Sequence, residues 1–298
     1  MTRDKSLVQA IELWFPQGEV MAWGAGAYRG HDDLRQVREQ LSFHEGEGLP
    51  GAVWANGKAL LWQTASPEFL SADFAARAGI DGAFGCPLYD GGRLFAVLTF
   101  LLSHRSEAPS CLEIWDVADE ADVLKYGRGY YVHCPELERF SPMIQFPRGT
   151  GLPGLTWLSG DAQIMPDVRK SNAFIRAGLA AGSGLKQAVG LPIYRDRKVM
   201  QVLAMFGAEQ RSFMAGAELY HPQGGELGAA TLFDWSGRGS MNGESFADAA
   251  GRKLAERTLA TKLPALSQSK ASTGHEISLA LPLHDRKGLK QILVLRVA

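Results

Sequence analysis

Cysteine is scarce in this sequence: Cys86, Cys111 and Cys134 are the only three in 298 residues. An odd number cannot all pair internally and none stand at CxxC spacing, so neither a disulfide framework nor a zinc ribbon is indicated, which suits a reducing cytosol. Long hydrophobic runs are also missing. The longest, Phe95 to Leu102, falls far short of the roughly 20 residues that cross a bilayer, so no membrane association is expected. The opening residues, Met1 to Lys5, have no apolar stretch of a secretory signal, and a cytoplasmic location is the expectation. Positive charge is not in surplus: 31 Lys and Arg stand against 32 Asp and Glu, a net charge of -1. The only basic clusters are short and mixed, such as Arg195 to Lys198, which argues against nucleic acid as a partner. No GxSxG, HExxH or Walker loop is present, so the common nucleophile, zinc-protease and phosphate-loop signatures are absent. What remains is ordinary globular composition, 46% apolar and 21% charged. At roughly 100–150 residues per domain, the length suits two or three domains.

The chain repeats itself. Gly48-Leu-Pro-Gly51-Ala-Val-Trp54 returns as Gly151-Leu-Pro-Gly154-Leu-Thr-Trp157, at an offset of 103 residues. Phe84-Gly-Cys-Pro87-Leu-Tyr89 is echoed by Val189-Gly-Leu-Pro192-Ile-Tyr194, each followed by an apolar strand, and the same block recurs at Leu281-Pro282-Leu to Leu295. The opening strands align on three glutamates, Glu12, Glu113 and Glu218. Three copies follow, at 1–104, 105–210 and 211–298. The last is shortened: it has no Gly-Leu-Pro-Gly turn and carries a helix-like run, Ser245 to Leu259, in its place. Since each copy opens and closes with its own strands, the pattern predicts separate small domains rather than a solenoid sharing one core.

Within unit one, Ile11 to Phe15 and Val20 to Tyr28 read as an opening hairpin, and Leu49 to Asn56 as a short helix stopped by Gly57. Lys58 to Gln63 reads as a strand and Phe69 to Ala78 as a helix ending at Gly79. A closing hairpin, Ala83 to Tyr89 and Arg93 to Leu102, turns through Asp90-Gly91-Gly92. Unit two repeats this order. The fold class is therefore α+β, each unit a central antiparallel sheet flanked by short helices.

The Gly-Leu-Pro-Gly-x-x-Trp turn, the helix before Gly79 and the Pro-bearing closing hairpin resemble the GAF domain family of small-molecule sensor modules. The resemblance spans nearly all of units one and two and only the ends of unit three, and it implies tandem GAF-like domains with a ligand cavity between sheet and short helices. Carried onto this chain, that cavity would be lined by Trp23, Trp62, Phe69 and Phe84 with Tyr28 as polar anchor and Cys86 nearby, and in unit two by Tyr130, Tyr131, Met165 and Phe174. The competing reading is that these aromatic residues are packed core, which a domain of about 100 residues needs. Family members often have long flanking helices that make the dimer and relay the signal; Ser103 to Ser110 is too short for one.

Gly46-Glu-Gly48-Leu-Pro-Gly51 and Gly149-Thr-Gly151-Leu-Pro-Gly154 both match GxGxxG, but Gly57 and Gly160 stop the following helices after about two turns, too short for a dinucleotide fold. His133-Cys134 offers two metal ligands with no second pair at ligand spacing. Neither a bilin-attachment cysteine nor the asparagine-lysine-acidic signature of cyclic-nucleotide binders is recognisable, so no cofactor is named. The expectation is a sensory or regulatory protein that binds a small molecule or a partner protein and catalyses nothing, with any output protein acting in trans. Two alternatives stand beside it: a cysteine-dependent redox enzyme of the free methionine sulfoxide reductase type, using Cys86 or Cys134, and a structural interaction module with filled pockets. The units would pack on one another within a chain or pair edge strands between chains, a homodimer being the favoured assembly.

Overall fold

Three antiparallel sheets, each built from one contiguous stretch of chain, make up the computed structural model, which describes residues 6–63, 79–171, 174–209, 212–235, 249–271, 274–285 and 288–298. In unit one, β1 (Val8–Gln17) and β2 (Val20–Tyr28) form the opening hairpin. They are followed by α1 (Asp32–Arg38), β3 (Ser42–His44), α2 (Gly48–Asn56), β4 (Leu60–Gln63) and the closing hairpin β5 (Gly82–Asp90) and β6 (Arg93–Leu102). The strand order is β3-β2-β1-β6-β5-β4. The expected helix at Phe69 to Ala78, Phe69 included, lies outside the described residues.

Unit two repeats the layout with β7 (Ser110–Ala118), β8 (Val123–Val132), α3 (Pro135–Phe140), β9 (Gln145–Pro147), α4 (Gly151–Ser159), β10 (Gln163–Met165), α5 (Ala177–Gly182), β11 (Leu185–Arg195) and β12 (Lys198–Ala208). Its order, β10-β11-β12-β7-β8-β9, is that of unit one read from the other edge. Unit three has β13 (Met214–Tyr220), β14 (Ala230–Asp234), α6 (Ala249–Thr261), β15 (Ala265–Ala271), β16 (Gly274–Asp285) and β17 (Gly288–Val297), ordered β14-β13-β17-β16-β15. Here α6 packs across β15, β16 and β17.

The glycine turns are packing devices. Gly46 and Gly48 take φ of 88° and 52°, and Gly149 and Gly151 take 83° and 65°, conformations that favour glycine. A Cβ on Gly51 would lie 2.0 Å from the His44 carbonyl oxygen, and one on Gly154 2.3 Å from that of Pro147, so only glycine lets the helix start lie against the preceding strand. The backbone N–H groups a phosphate would need are spent internally: Gly46 donates to Gly51 and Gly149 to Gly154. Gly57 and Gly160, at φ of 62° and 64°, end α2 and α4 in the left-handed cap.

One expectation is overturned in the interior. The three sheets turn one face towards each other, and a single apolar cluster runs through all three units, with Leu13, Phe84 and Leu98 from unit one, Ile114, Leu191 and Leu203 from unit two, and Leu219, Leu281 and Leu293 from unit three. The repeats thus share a core, while each keeps a smaller one under its own helices. Strands buried on both faces carry apolar residues at nearly every position, as in β6, rather than alternating with polar ones.

The units form a closed ring. The Gln201 side-chain oxygen accepts from the Ala59 N–H at 2.7 Å, and Gln291 accepts from Ala162 at 2.9 Å, so units two and three each hold the preceding unit at corresponding positions. Unit three closes on unit one: Gln268 pairs with both backbone groups of Tyr28, and Arg29 donates to the His275 and Val297 carbonyls at 2.6 and 2.8 Å. Where the three units meet, Pro87, Pro192 and Pro282 with their neighbours surround a space of about 20 Å³, and His284 is buried there edge-on to Phe95.

Candidate functional site

Strand alternation puts Ala10, Glu12 and Trp14 of β1 on the helix side and Ile11 and Leu13 in the shared core. A carboxylate in so apolar a strand must find compensation, and Glu12 does. Arg38 of α1 donates from Nε to Oε1 and from Nη2 to Oε2, each at 2.7 Å, a two-pronged pair in which both side chains are buried. Tyr28 donates to Oε1 at 2.8 Å, and Thr99 and Trp14 donate to Oε2 at 2.9 and 3.2 Å. The guanidinium carbon lies 4.8 Å from the Trp14 ring centre.

Unit two builds the same arrangement differently. Glu113 of β7 accepts from Arg176 Nη1 and Nη2 at 2.7 Å each, from Ser141 at 2.7 Å, from Tyr131 at 3.0 Å and from Trp115 at 3.1 Å. Glu113, Trp115 and Tyr131 correspond to Glu12, Trp14 and Tyr28, but Arg176 does not correspond to Arg38; that position is Ser141. The guanidinium of Arg176 arrives instead from the N-cap of α5, among the rings of Trp115, Phe146, Phe174 and Phe206 at 5.3 to 5.7 Å. In unit three, Glu218 accepts from Tyr220 at 2.6 Å, and α6 brings Gly251 against the carboxylate.

Burial alone would push the carboxyl pKa of Glu12 and Glu113 up. The adjacent guanidinium and the hydrogen bonds from Arg, Tyr, Thr, Ser and Trp outweigh it and hold both below the ordinary value. Burial and the neighbouring carboxylate push the Tyr28 and Tyr131 hydroxyls well up. Each carboxylate is therefore ionised and saturated with donors, an arrangement that holds charge in place and leaves no proton to give at neutral pH.

Trp23 sits at the edge of this site, its Nε1 donating to the Tyr28 hydroxyl at 3.2 Å, and Trp62 packs against the same helix-side core. Met165 and Phe174 lie in the helix-side core of unit two. Phe84, Cys86 and Tyr130 do not join them. All three point to the opposite face, into the shared core, because one step along a strand reverses the side chain. The counterpart of Tyr28 is Tyr131, and Tyr130 instead donates to Asp81 across the boundary between units one and two.

The three thiols are buried. Burial pushes Cys86 and Cys134 up to about 12 and Cys111 well above the ordinary thiol range. His133 and Cys134 turn to backbone carbonyls of Ser106 and Val132. Among the described residues no helix is long and apolar enough to cross a membrane.

A second feature is a groove of about 780 Å³ between units two and three, at the end of α4 and the β11–β12 hairpin, which Arg148, Arg197, Lys198 and Lys290 line. In the sequence Arg195 to Lys198 stands out only as a short mixed cluster; repeat alignment flags it, because the corresponding turn in unit one is Asp90-Gly91-Gly92-Arg93.

No protein-family model matches the sequence, and no curated protein matches it. Among solved structures, the chain is similar to a free methionine-R-sulfoxide reductase from Neisseria meningitidis in complex with its substrate, at 20% identity and a TM-score of 0.26, covering 32% of this chain and 50% of that one. It is similar to a GAF domain structure at 21% identity and a TM-score of 0.26, covering 33% and 50%. The GAF domain of a phosphoenolpyruvate-protein phosphotransferase from Coxiella burnetii follows at 14% identity and 0.28, covering 33% and 56%. The chain spans about half the length of these structures, and the similarity to GAF domain structures extends over about a third of its own length.

Proposed function

We propose that this chain is a non-catalytic regulatory module that binds a small molecule or a partner protein on its outer surface. The observation that carries the reading is the pair of donor-saturated buried carboxylates, Glu12 with Arg38 and Glu113 with Arg176, standing between sheet and helices in units one and two. A ligand placed there would have to displace a buried ion pair, and breaking one costs about 3–5 kcal/mol. Three buried, protonated thiols weigh against the redox alternative, since the thiolate is the reactive form.

The test is turnover of free methionine sulfoxide with a dithiol reductant by the wild-type protein and by C86S and C134S. No turnover above the reductant alone is expected. Turnover abolished by either substitution overturns the reading. Native mass spectrometry of the same preparation checks where any ligand sits: a bound mass lost on E113Q, rather than on substitution of a surface residue, would place it inside unit two against the proposal.

A further inference from the structure

The groove between units two and three carries charge that the repeat does not require. Its lining cations come from separate segments: Arg148 follows β9, Arg197 and Lys198 form the β11–β12 turn, and Lys290 lies on β17 of unit three. Lys290 is committed to the fold, its Nζ 2.8 Å from Asp161 and donating to the Ser159 carbonyl at 3.0 Å, where it ties unit three to the end of α4. Arg148 lies over the Trp157 ring at 5.1 Å, which orients its guanidinium. Arg197, Lys198 and Arg148 have no ion-pair partner among the described residues. The turn that displays Arg197 is held in the left-handed region, with φ of 49° at Asp196 and 63° at Arg197, where glycine is the undemanding choice. Two acidic residues, Asp122 and Asp285, also line the groove, so the cations outnumber them.

The repeat supplies an internal control. The unit-one positions corresponding to Asp122, Arg148, Arg197 and Lys198 are Glu19, Glu45, Gly92 and Arg93. Two carboxylates and one arginine there become one carboxylate and three cations in unit two. The corresponding helix end in unit one is also covered: the Arg195 guanidinium lies against Gly57, beside the Tyr89 hydroxyl. In unit two the matching Tyr194 hydroxyl is drawn to Gly160, donating to its carbonyl at 2.6 Å, and the space beside it stays open. Leu158, 55% exposed, adds an apolar wall next to the cations.

We infer that this groove binds a small molecule carrying a di- or polyphosphate next to an apolar body. The inference rests on reading the chain as a binding module and names the ligand class and the place. Its volume is that of a small-molecule site, within the usual span of about 300–1,000 Å³. Uncommitted cations converging on one space supply multivalent charge recognition, which a single exposed lysine does not. A nucleic acid would need a basic track along the surface, and the balanced charge of the chain provides none.

The test is calorimetric titration with ADP, with pyrophosphate and with adenosine, in about 20 mM salt so that screening does not mask the charges. ADP is expected to saturate one site with a dissociation constant of about 10–500 µM, and adenosine to bind at least about tenfold more weakly. R197Q/K198Q should weaken ADP by about tenfold or more and R148Q by about threefold or more, while R93Q, at the unit-one position, leaves it unchanged. All four positions are at the surface, and unchanged thermal midpoints show that the fold is intact. The proposal is overturned if neither ADP nor pyrophosphate binds saturably up to about 10 mM, or if R197Q/K198Q binds them as the wild type does. Tighter binding of a single-stranded oligonucleotide than of ADP overturns the small-molecule assignment. Failure here leaves the non-catalytic reading standing, whereas methionine sulfoxide turnover sinks that reading and leaves the groove untouched.

Discussion

Removing either partner of the Glu113–Arg176 pair should destabilise the protein about as much as removing both. Glu113 accepts five hydrogen bonds, two of them from Arg176, and both side chains are buried. With Glu113→Leu the guanidinium stays among four aromatic rings without a counter-charge, and with Arg176→Met the carboxylate stays buried with only neutral donors. Each single change should cost about 3–5 kcal/mol. The double variant loses both charges and their desolvation penalty together, a change that in itself ranges from neutral to favourable by about 1–4 kcal/mol. Against this stand the Trp115 N–H and the Ser141 and Tyr131 hydroxyls, orphaned at about 1–3 kcal/mol each unless they re-pair; Tyr131 has the Tyr126 hydroxyl at 3.4 Å. The double variant should therefore cost about as much as one single variant, with a coupling of at least about 2 kcal/mol. Urea unfolding of the four proteins measures this, and thermal midpoints should fall by about 2–4 °C per kcal/mol. The linkage has a definite sign. Because the folded carboxyl lies below its ordinary value of 4.5, its contribution is full above that pH and is lost as pH falls through the lowered folded value. Glu113→Gln should remove this acid-side loss. Additive single costs, or a single cost under about 1 kcal/mol, would refute the reasoning.

Further expectations concern other groups. Placing arginine at the unit-one position, S141R in the R176M background, should recover at least half of the stability lost in R176M, read by urea midpoint, because Arg38 reaches Glu12 from that position; no recovery would show that α3 cannot deliver a guanidinium. Burial lowers the His284 pKa below 6.5, so its neutral form is the folded one and stability should fall as pH drops below that value; H284L should flatten the thermal-midpoint profile between about pH 7.5 and 5.5. Thiol titration at about pH 8 should find no reactive cysteine in the folded protein and all three after unfolding. Gln201→Ala, which frees the buried Ala59 N–H, should cost about 1–3 kcal/mol.

The features legible in the sequence are those that depend on backbone geometry. Gly48, Gly51 and Gly57 recur as Gly151, Gly154 and Gly160 because each position excludes a side chain or demands a left-handed backbone, and local rules of that kind survive in a single sequence. The closing hairpins were equally plain. Which face each residue takes was not, because β5, β6 and β8 are buried on both sides at their inner ends, and no polar alternation marks the helix side. Phe84, Cys86 and Tyr130 therefore lie on the face opposite to the one the family resemblance implies, and sequence-separate strands give no sign that three sheets will turn their apolar backs to one another. The buried glutamates did leave a signal. An acidic residue recurring three times between apolar neighbours, at 12, 113 and 218, implies a partner inside the fold. The partner's identity stayed hidden because Arg38 and Arg176 occupy positions that do not correspond.

That mismatch bears on where specificity lies. Had the helix-side interior been kept to recognise a ligand, the two units would be expected to preserve the direction from which its groups approach. Instead the carboxylate is fixed on the strand, and the guanidinium reaches it from α1 in one unit and from the start of α5 in the other. What the repeats hold in common is neutralisation of a buried charge, met by whichever nearby segment can carry an arginine. At the surface the relation reverses: the backbone of the hairpin and helix end repeats closely, while the side chains change from acidic and small to basic. Chemistry that converges inside and diverges outside on the same scaffold is what the proposed exterior site requires, and the groove between units two and three is where Arg148, Arg197 and Lys198 meet.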